Sequence, residues 1–397
     1  MTGPLAGIRV LDFTRYQQGP FATVMLADMG ADIIKIEDTD IGDYGRRMFR
    51  EADGFSTFFE ALDRGKRSVC IDLRKPEGRD IIMKLVDNAD VIAENFRTGT
   101  MERWGLGYED VQARNPRIIF GSATGWGSKG PKAEEPSFDQ IAQAYSGFAQ
   151  HAGGGAGARP EIPVPGLADQ SGGMNFAFGI VTALFARERT GRGQKVEVSL
   201  FGTQLALQSQ ELLYTLRYGA ERPREFRASP TAGHFECADG RWVMLVGIDQ
   251  KFWPRIADAI ERPDLVDDPR FAKGGYRFAN RAALEAELEA AIRTRDSGYW
   301  LARLQEHDVP ASLVQSYKDM VTDEQAAANG YIVEYDHPRW GAQKVVGPHV
   351  QLSETPAALG LPAPLLGEHT REVLLAAGFD DARISQLSGA GVIRCAE

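Results

Sequence analysis

Cysteine is scarce: Cys70, Cys237 and Cys395 are the only three in 397 residues. They are too scattered for a disulfide framework or a CxxC metal site, and a reducing cytoplasm is the expected setting. Histidine is thin as well. His151, His234, His307, His337, His349 and His369 contain no HExxH and no paired ligand spacing, so no catalytic metal is expected. Positive charge is in deficit, with 45 Lys and Arg against 55 Asp and Glu, a formal net charge of −10 and a pI near 5.3. Nucleic acid is therefore not expected as a partner, and an anionic ligand would have to be met by local cations.

Long apolar runs are missing too. Met174 to Ala186 is about half the length of a membrane span and ends in Arg187-Glu188-Arg189, so it reads as a buried helix and no membrane partner is expected. The opening Met1-Thr2-Gly3-Pro4-Leu5-Ala6-Gly7 has neither a basic flank nor an apolar core and does not read as a targeting segment. With no G-x-S-x-G elbow, serine hydrolase chemistry has little support. Gly153-Gly154-Gly155-Ala156-Gly157 lacks the Lys-Ser/Thr of a phosphate loop and reads as a mobile loop over a pocket.

What is there is a regular alternation of strand and helix signals. Strands are expected at Ile8–Phe13, Asp32–Glu37, Ser68–Leu73, Val91–Glu94 and Arg117–Gly121, with helices at Phe21–Met29, Glu77–Asn88 and near Glu109–Arg114. Pro76 suits the first turn of the helix that it precedes. Such βα repeats mean a doubly wound parallel sheet. A helix through Met174–Arg187, a strand at Lys195–Val198 and a long helix over about Gly202–Tyr218 follow. The polar stretch Gly219–Ser229 reads as a linker. Beyond it, a hairpin around Asp239-Gly240 and helices near Gln250–Ile260, Ala282–Arg293 and Gly298–Glu306 form a smaller α+β unit, and the tail carries a helix at Arg371–Ala377.

Gly125-Trp126-Gly127-Ser128-Lys129-Gly130 spells GxGxxG after a strand. Pro131 and Pro136 follow where pyrophosphate would need a helix N-terminus, and the first βα turn has no such glycines to accompany Glu37. NAD or FAD binding is not expected. Asp169 is the residue of most interest, in the run Gly166-Leu167-Ala168-Asp169-Gln170-Ser171-Gly172-Gly173 ahead of an apolar helix. An Asp there is a favoured N-cap. It also has no basic neighbour in sequence, and its small neighbours would let a substrate approach closely, so a nucleophile and a cap both fit.

Several motifs together resemble the class III CoA-transferase (CaiB/BaiF) family, which includes formyl-CoA:oxalate and carnitine CoA-transferases. They are Leu5-Ala6-Gly7-Ile8-Arg9-Val10-Leu11-Asp12 with Gly19-Pro20, and Leu26-Ala27-Asp28-Met29-Gly30-Ala31-Asp32 with Ile34-Lys35-Ile36-Glu37. Lys66-Arg67-Ser68, Glu94-Asn95-Phe96-Arg97, Gly125 to Pro131, Thr190-Gly191-Arg192-Gly193-Gln194 and Leu366-Gly367-Glu368-His369-Thr370 extend the likeness over nearly the whole chain. The resemblance implies an α/β fold: a Rossmann-like doubly wound large domain plus a small α+β domain, in an interlocked homodimer. Its boundaries here are 1–218 for the first part of the large domain, 219–228 for the linker, 229–325 for the small domain and 326–397 for the return.

The resemblance also implies roles. Asp169 is the expected nucleophile, forming an aspartyl anhydride and then an aspartyl-CoA thioester. Gln17 is the expected oxyanion donor, and Asp139 matches an assisting acid that could instead be a plain helix-start cap. CoA or acyl-CoA is expected as a substrate, with no tightly bound cofactor, held by Tyr16, Gln17, Leu73, Arg74, Asn95, Phe96, Thr100 and Arg103. Asp38 stands where formyl-CoA transferases carry a basic residue. A small carboxylic acid is the expected second substrate, its pocket including the loop Gly153–Gly157 and part of the small domain, where the stretch Arg217–Arg227 either suits a second carboxylate or is a solvated linker. The α-methylacyl-CoA racemases resembled as well need a histidine where this chain has Phe138, which cannot move a proton. A CoA-binding protein without catalysis is the other alternative.

Overall fold

The computed structural model describes residues 3–221, 227 and 229–396. The chain divides into two compact units, Met1–Arg222 with Gln325–Glu397, and Pro223–Glu324.

In the first unit, strands β1 (Arg9–Asp12), β2 (Asp32–Glu37), β3 (Lys66–Ile71), β4 (Val91–Glu94), β5 (Ile119–Thr124) and β6 (Lys195–Ser199) alternate with helices. In the second unit, β7 (Ala232–Glu236), β8 (Trp242–Val246) and β9 (Ala311–Leu313) form an antiparallel sheet. The chain then returns through the hairpin β10 (Ile332–His337) and β11 (Gly341–Val346) to a last strand, β12 (Ile393–Arg394). The large sheet has the order β12-β3-β2-β1-β4-β5-β6, with every neighbouring pair parallel except β12 on β3. Winding runs outward from β1 to β3 on one side and from β4 to β6 on the other. The reversal lies between β1 and β4, where open α/β sheets bind their ligands.

Apolar side chains of the central strands are buried on both faces of this sheet. Val10, Ile33 and Val91 are in register and face a core made with Phe176, Ile180 and Leu184 of the helix Leu167–Thr190. The alternate residues Leu11, Ile34 and Ile92 face the opposite core, with Ile81, Ile82, Val373 and Ile384. The second unit has its own core around Phe235, Val243, Trp253, Leu284 and Trp300.

Strands β2 and β4 fall on the expected residues, and the helix Pro76–Val86 begins with Pro76. The long helix expected over Gly202–Tyr218 is two helices, Leu200–Leu207 and Ser209–Tyr218, broken at Gln208. The side chain of Gln208 turns back to the carbonyls of Ser146 and Gln204, at 3.3 and 3.0 Å. The hairpin β10–β11, strand β12 and the helix Asp381–Gly389 carry no signal read from the sequence. No helix among the described residues is long and apolar enough to cross a membrane. None of their His, Cys, Asp and Glu side chains cluster in a metal-holding group.

Candidate active site

The winding reversal sets the loop after β1 beside the loop after β4, and Asn95 fastens them. Its Oδ1 accepts the N–H of Arg15 and its Nδ2 donates to the Arg15 carbonyl, both at 2.8 Å. The next residue, Tyr16, has φ 62°, a left-handed conformation costly for a side chain of that size. A buried ionic group holds it there. Asp43 accepts the Tyr16 N–H at 3.2 Å and the Gly45 N–H at 2.8 Å, and pairs with Lys35 at 2.8 Å. Lys35 Nζ also donates to the Thr14 carbonyl at 3.0 Å. One lysine thus anchors both ends of the turn that presents Gln17, and Tyr16 stacks on Tyr44 with ring centroids 5.5 Å apart.

This turn forms one wall of a cleft of about 260 Å³ lined by Tyr16, Gln17, Gln18, Phe138 and Asp169, among others. Asp169 is not an N-cap. Gly166, at φ 90°, takes that position, and Asp169 sits in the first turn of Leu167–Thr190. The capping is done by Asp139, whose carboxylate accepts the N–H groups of Gly166 (2.9 Å), Ala168 (2.7 Å) and Asp169 (3.2 Å). A charge from another helix satisfies the free donors and the positive helix end. Asp169 is left free of that duty. Among the described residues, no donor or cation meets its carboxylate. Burial, and then the charge of Asp139, push its pKa up to about 7.

The glycines around Asp169 do a different job from the one read in the sequence. A Cβ on Gly166 would lie 2.4 Å from Gln17 Nε2, one on Gly172 2.8 Å from Gln18 Nε2, and one on Gly173 2.6 Å from the Gln18 carbonyl. They admit the helix Gln18–Asp28, with Gln18 in it and Gln17 at its N-cap, where the sequence reading had them admitting substrate. Gln18 itself escaped that reading. Its buried Nε2 has no partner and it lines the cleft, so it is a second donor beside Gln17. The only sequence signal was the repeated amide Gln17-Gln18, which does not reveal that both line the cleft.

A second cleft, of about 340 Å³, is lined by Arg15, Glu37, Asp38, Asp40, Asp72, Leu73, Arg74, Phe96 and Trp104, with Phe96 common to both clefts. Phe96 packs edge-on to Trp104 at 5.2 Å, with Arg15 over its ring at 5.1 Å. Arg74 is engaged by Asp72 at 2.7 Å and Asp40 at 3.8 Å. Asp38 closes a turn, accepting the N–H groups of Asp40 and Ile41 at 2.9 and 2.8 Å. Of the expected CoA contacts, Leu73, Arg74 and Phe96 line this cleft, and Tyr16, Gln17, Asn95 and Phe96 line the first. Thr100 and Arg103 line neither cleft, and Arg103 donates to the Thr100 hydroxyl at 2.9 Å.

The loop Gly153–Gly157 lines neither cleft. It closes on the end of its own helix, with the N–H of Gly155 donating to the Gln150 carbonyl at 2.9 Å. The sequence Gly125 to Gly130 is followed by turns and not by a helix N-terminus. In the stretch Arg217–Arg227, residues 222–226 lie outside the described residues. Arg227 is buried and pairs with Glu289 at 2.7 Å.

The family model of CoA-transferase family III matches residues 5–370. The chain belongs to CoA-transferase family III. It is an enzyme of the CoA-transferase type, like the relatives named succinyl-CoA and formyl-CoA transferases. Over 398 residues the chain is 34% identical to the succinyl-CoA:glutarate CoA-transferase of Mus musculus, covering 98% of this chain and 90% of the mouse protein. It is 36% identical to the succinyl-CoA:mesaconate CoA-transferase of Haloarcula hispanica, covering 95% and 97% of the two chains. The crystal structure of a CaiB/BaiF family protein from Brucella suis superposes with a TM-score of 0.84 at 30% identity, covering 95% of this chain and all of the other. A mixed α/β fold with a large parallel sheet is thus common to this chain and a family III structure.

Proposed function

We propose that this chain moves CoA from an acyl-CoA to a small carboxylic acid through covalent intermediates on Asp169. The observation that carries this reading is the unpartnered Asp169 carboxylate, half-buried in one cleft with the unengaged amides of Gln17 and Gln18. A carboxylate that is neither paired nor fully solvated keeps its lone pairs for an electrophile.

In the first step a carboxylate oxygen of Asp169 attacks the thioester carbonyl, and the C–S bond breaks to give a mixed anhydride and CoA thiolate. The thiolate then attacks the aspartyl carbonyl, and the donor acid leaves as its carboxylate. This leaves CoA joined to Asp169 as a thioester. An acceptor carboxylate repeats the two steps in reverse, leaving as its CoA thioester and regenerating Asp169. Each oxyanion develops where amide N–H groups of Gln17 or Gln18 can meet it. One thioester replaces another, so the exchange requires no ATP.

Phe138 lines the same cleft, edge-on to Tyr16 at 5.9 Å. Its ring carries no exchangeable proton, which disfavours the racemase alternative. Relatives named for succinyl-CoA with glutarate or mesaconate point to short dicarboxylic acids as the first acceptors to screen.

An interlocked homodimer is the proposed assembly. Met174, Phe178, Val181 and Phe185 recur at helical spacing on Leu167–Thr190 and are exposed, Phe178 by 73%. An apolar stripe of this size on one helix face marks a protein interface.

The deciding experiment incubates the protein with succinyl-CoA and hydroxylamine and maps the adduct by mass spectrometry. A hydroxamate on Asp169 is expected. An unmodified Asp169, with full exchange activity in Asp169→Ala, would overturn the mechanism.

A further inference from the structure

Apart from the two clefts described, the first unit carries a concavity of about 450 Å³ whose lining includes Arg46, Arg47, Arg50, Arg339 and Arg394. Arg46 is taken by Glu37, through Nε at 2.7 Å and Nη2 at 2.6 Å. The other four are exposed, and among the described residues none of them pairs with a carboxylate. Arg339 lies over the ring of Trp340 at 5.1 Å, and Arg394 reaches only the carbonyls of Thr39 and Asp40 at 3.4 and 3.5 Å.

Two of these guanidinium groups converge. A Cβ built on Gly54 would have Arg50 Nη2 at 3.4 Å and Arg339 Nη2 at 3.9 Å. Like charges gathered without an acid between them repel, and an anion seated there turns that repulsion into attraction. The acids nearby do not fill this role. Glu60 is turned to the Tyr335 hydroxyl and to the N–H of Ala363, and Asp40 leans to Arg74 at 3.8 Å. In a chain of formal net charge −10, four uncompensated arginines around one concavity are a local reversal of sign.

The neighbouring 340 Å³ cleft shares Asp40 and Ile41 with this concavity. Phe96, Leu73 and Trp104 give it flat apolar walls suited to a nucleotide base. It is a poorer place for a phosphate, because four acids, Glu37, Asp38, Asp40 and Asp72, line it, and of its two arginines Arg74 is already paired and Arg15 lies over the Phe96 ring. On the reading that this chain binds CoA, the base and the phosphate ester are thus provided for on opposite sides of Asp40.

We propose that Arg47, Arg50, Arg339 and Arg394 form a phosphomonoester site that takes the 3′-phosphate of CoA while the adenine lies in the adjoining cleft. The guanidinium fork matches phosphate oxygens in pairs, which a single lysine does not. The ligand rests on the CoA-transferase reading, whereas the arginine site can be tested without catalysis.

Calorimetric titration of the full-length protein with CoA, with 3′-dephospho-CoA and with pyrophosphate separates the two. Loss of the 3′-phosphate is expected to weaken binding about 10- to 100-fold, as for a charge-assisted contact. In Arg50→Gln/Arg339→Gln, both CoA forms are expected to bind alike, at the level of dephospho-CoA on the unaltered protein. Equal binding of the two forms by the unaltered protein overturns the CoA assignment, and a pyrophosphate signal lost in the variant would then assign the site to a separate phosphate compound. Equal binding with no pyrophosphate signal overturns the site itself. A protein that binds neither CoA form counts against the function proposed above, and the pyrophosphate arm still decides the arginines.

Discussion

The backbone N–H of Asp169 donates to the carboxylate of Asp139 at 3.2 Å, so the acid that seats the helix start is also a charge acting on the candidate nucleophile. We propose Asp139 as a positioning residue, since it is buried and does not line the cleft. Its partner Gln143 donates to it at 2.9 Å and fixes its other oxygen. Replacing Asp139 with Asn removes the charge while keeping one acceptor for the helix. The pKa of Asp169 should then fall, and the acid limb of the kcat/KM profile for CoA exchange should move to lower pH. A profile that drops in height without moving would mean that Asp139 acts only as a cap.

Burial and Asp139 hold Asp169 up to about 7, against an ordinary value of 3.8. Between those values the folded chain binds a proton that the unfolded chain has released. Stability from this group is therefore full at low pH, falls as the pH rises toward 7, and levels off above. Asp169→Asn mimics the protonated form at every pH. Its Tm should match that of the unaltered protein near pH 4 and exceed it at pH 8, while exchange activity is lost. Equal Tm values at both pH values would refute the raised pKa.

Gly166 and Gln17 test the other wall. A Cβ on Gly166 would lie 2.4 Å from Gln17 Nε2, and the φ of 90° there disfavours any side chain. Gly166→Ala should displace the amide and lower kcat, and Gln17→Ala should cost about 10²- to 10³-fold in kcat, the range for a lost oxyanion donor. An unchanged kcat in Gln17→Ala would pass the role to Gln18.

The sheet that positions this site was legible in the sequence because βα alternation follows chain-local rules. The βα alternation pointed to the doubly wound sheet, and Asp169 stood out by its small neighbours, whereas Gln17 and Phe96 came only from the resemblance to the CoA-transferase family. The capping of Asp169 was misread, since Asp139 reaches it from 30 residues away and no local pattern encodes that contact. The same holds for Gly172 and Gly173, whose neighbours Gln18 and Phe21 are distant in sequence. Strand β12 has two residues and pairs with β3 across more than 300 positions, so it offers no periodicity to read.

Lys35 carries the heaviest structural burden under the cleft. It is fully buried and pairs with Asp43 at 2.8 Å and Asp63 at 3.1 Å, while Lys66 supports Asp63 and Asp12 at 2.8 and 3.1 Å. Lys35→Met would leave Asp43 without its cation and free the strained turn at Tyr16. A loss of about 3–5 kcal/mol, the range for breaking a buried ion pair, is expected in urea denaturation. Asp43→Asn removes one charge from a group that holds three acids and two lysines, so it should cost less stability. It should still lower kcat, because the Tyr16 N–H loses its ionised acceptor.

The stripe on Leu167–Thr190 bears on assembly. Phe178 and Phe185 are 73% and 58% exposed, about two helical turns apart on the same face, and neither belongs to a core cluster. On the helix Ser209–Tyr218, which buries none of its residues, Leu213 and Leu216 are 67% and 83% exposed. Surfaces of this kind are covered in functioning proteins, and a second copy of the chain is the proposed cover. Phe178→Glu/Phe185→Glu places charge on that stripe without touching the sheet core. Light scattering should then report a monomer in place of a dimer, with the far-UV signal retained. An unaltered protein that runs as a monomer at micromolar concentration would dismiss the dimer outright.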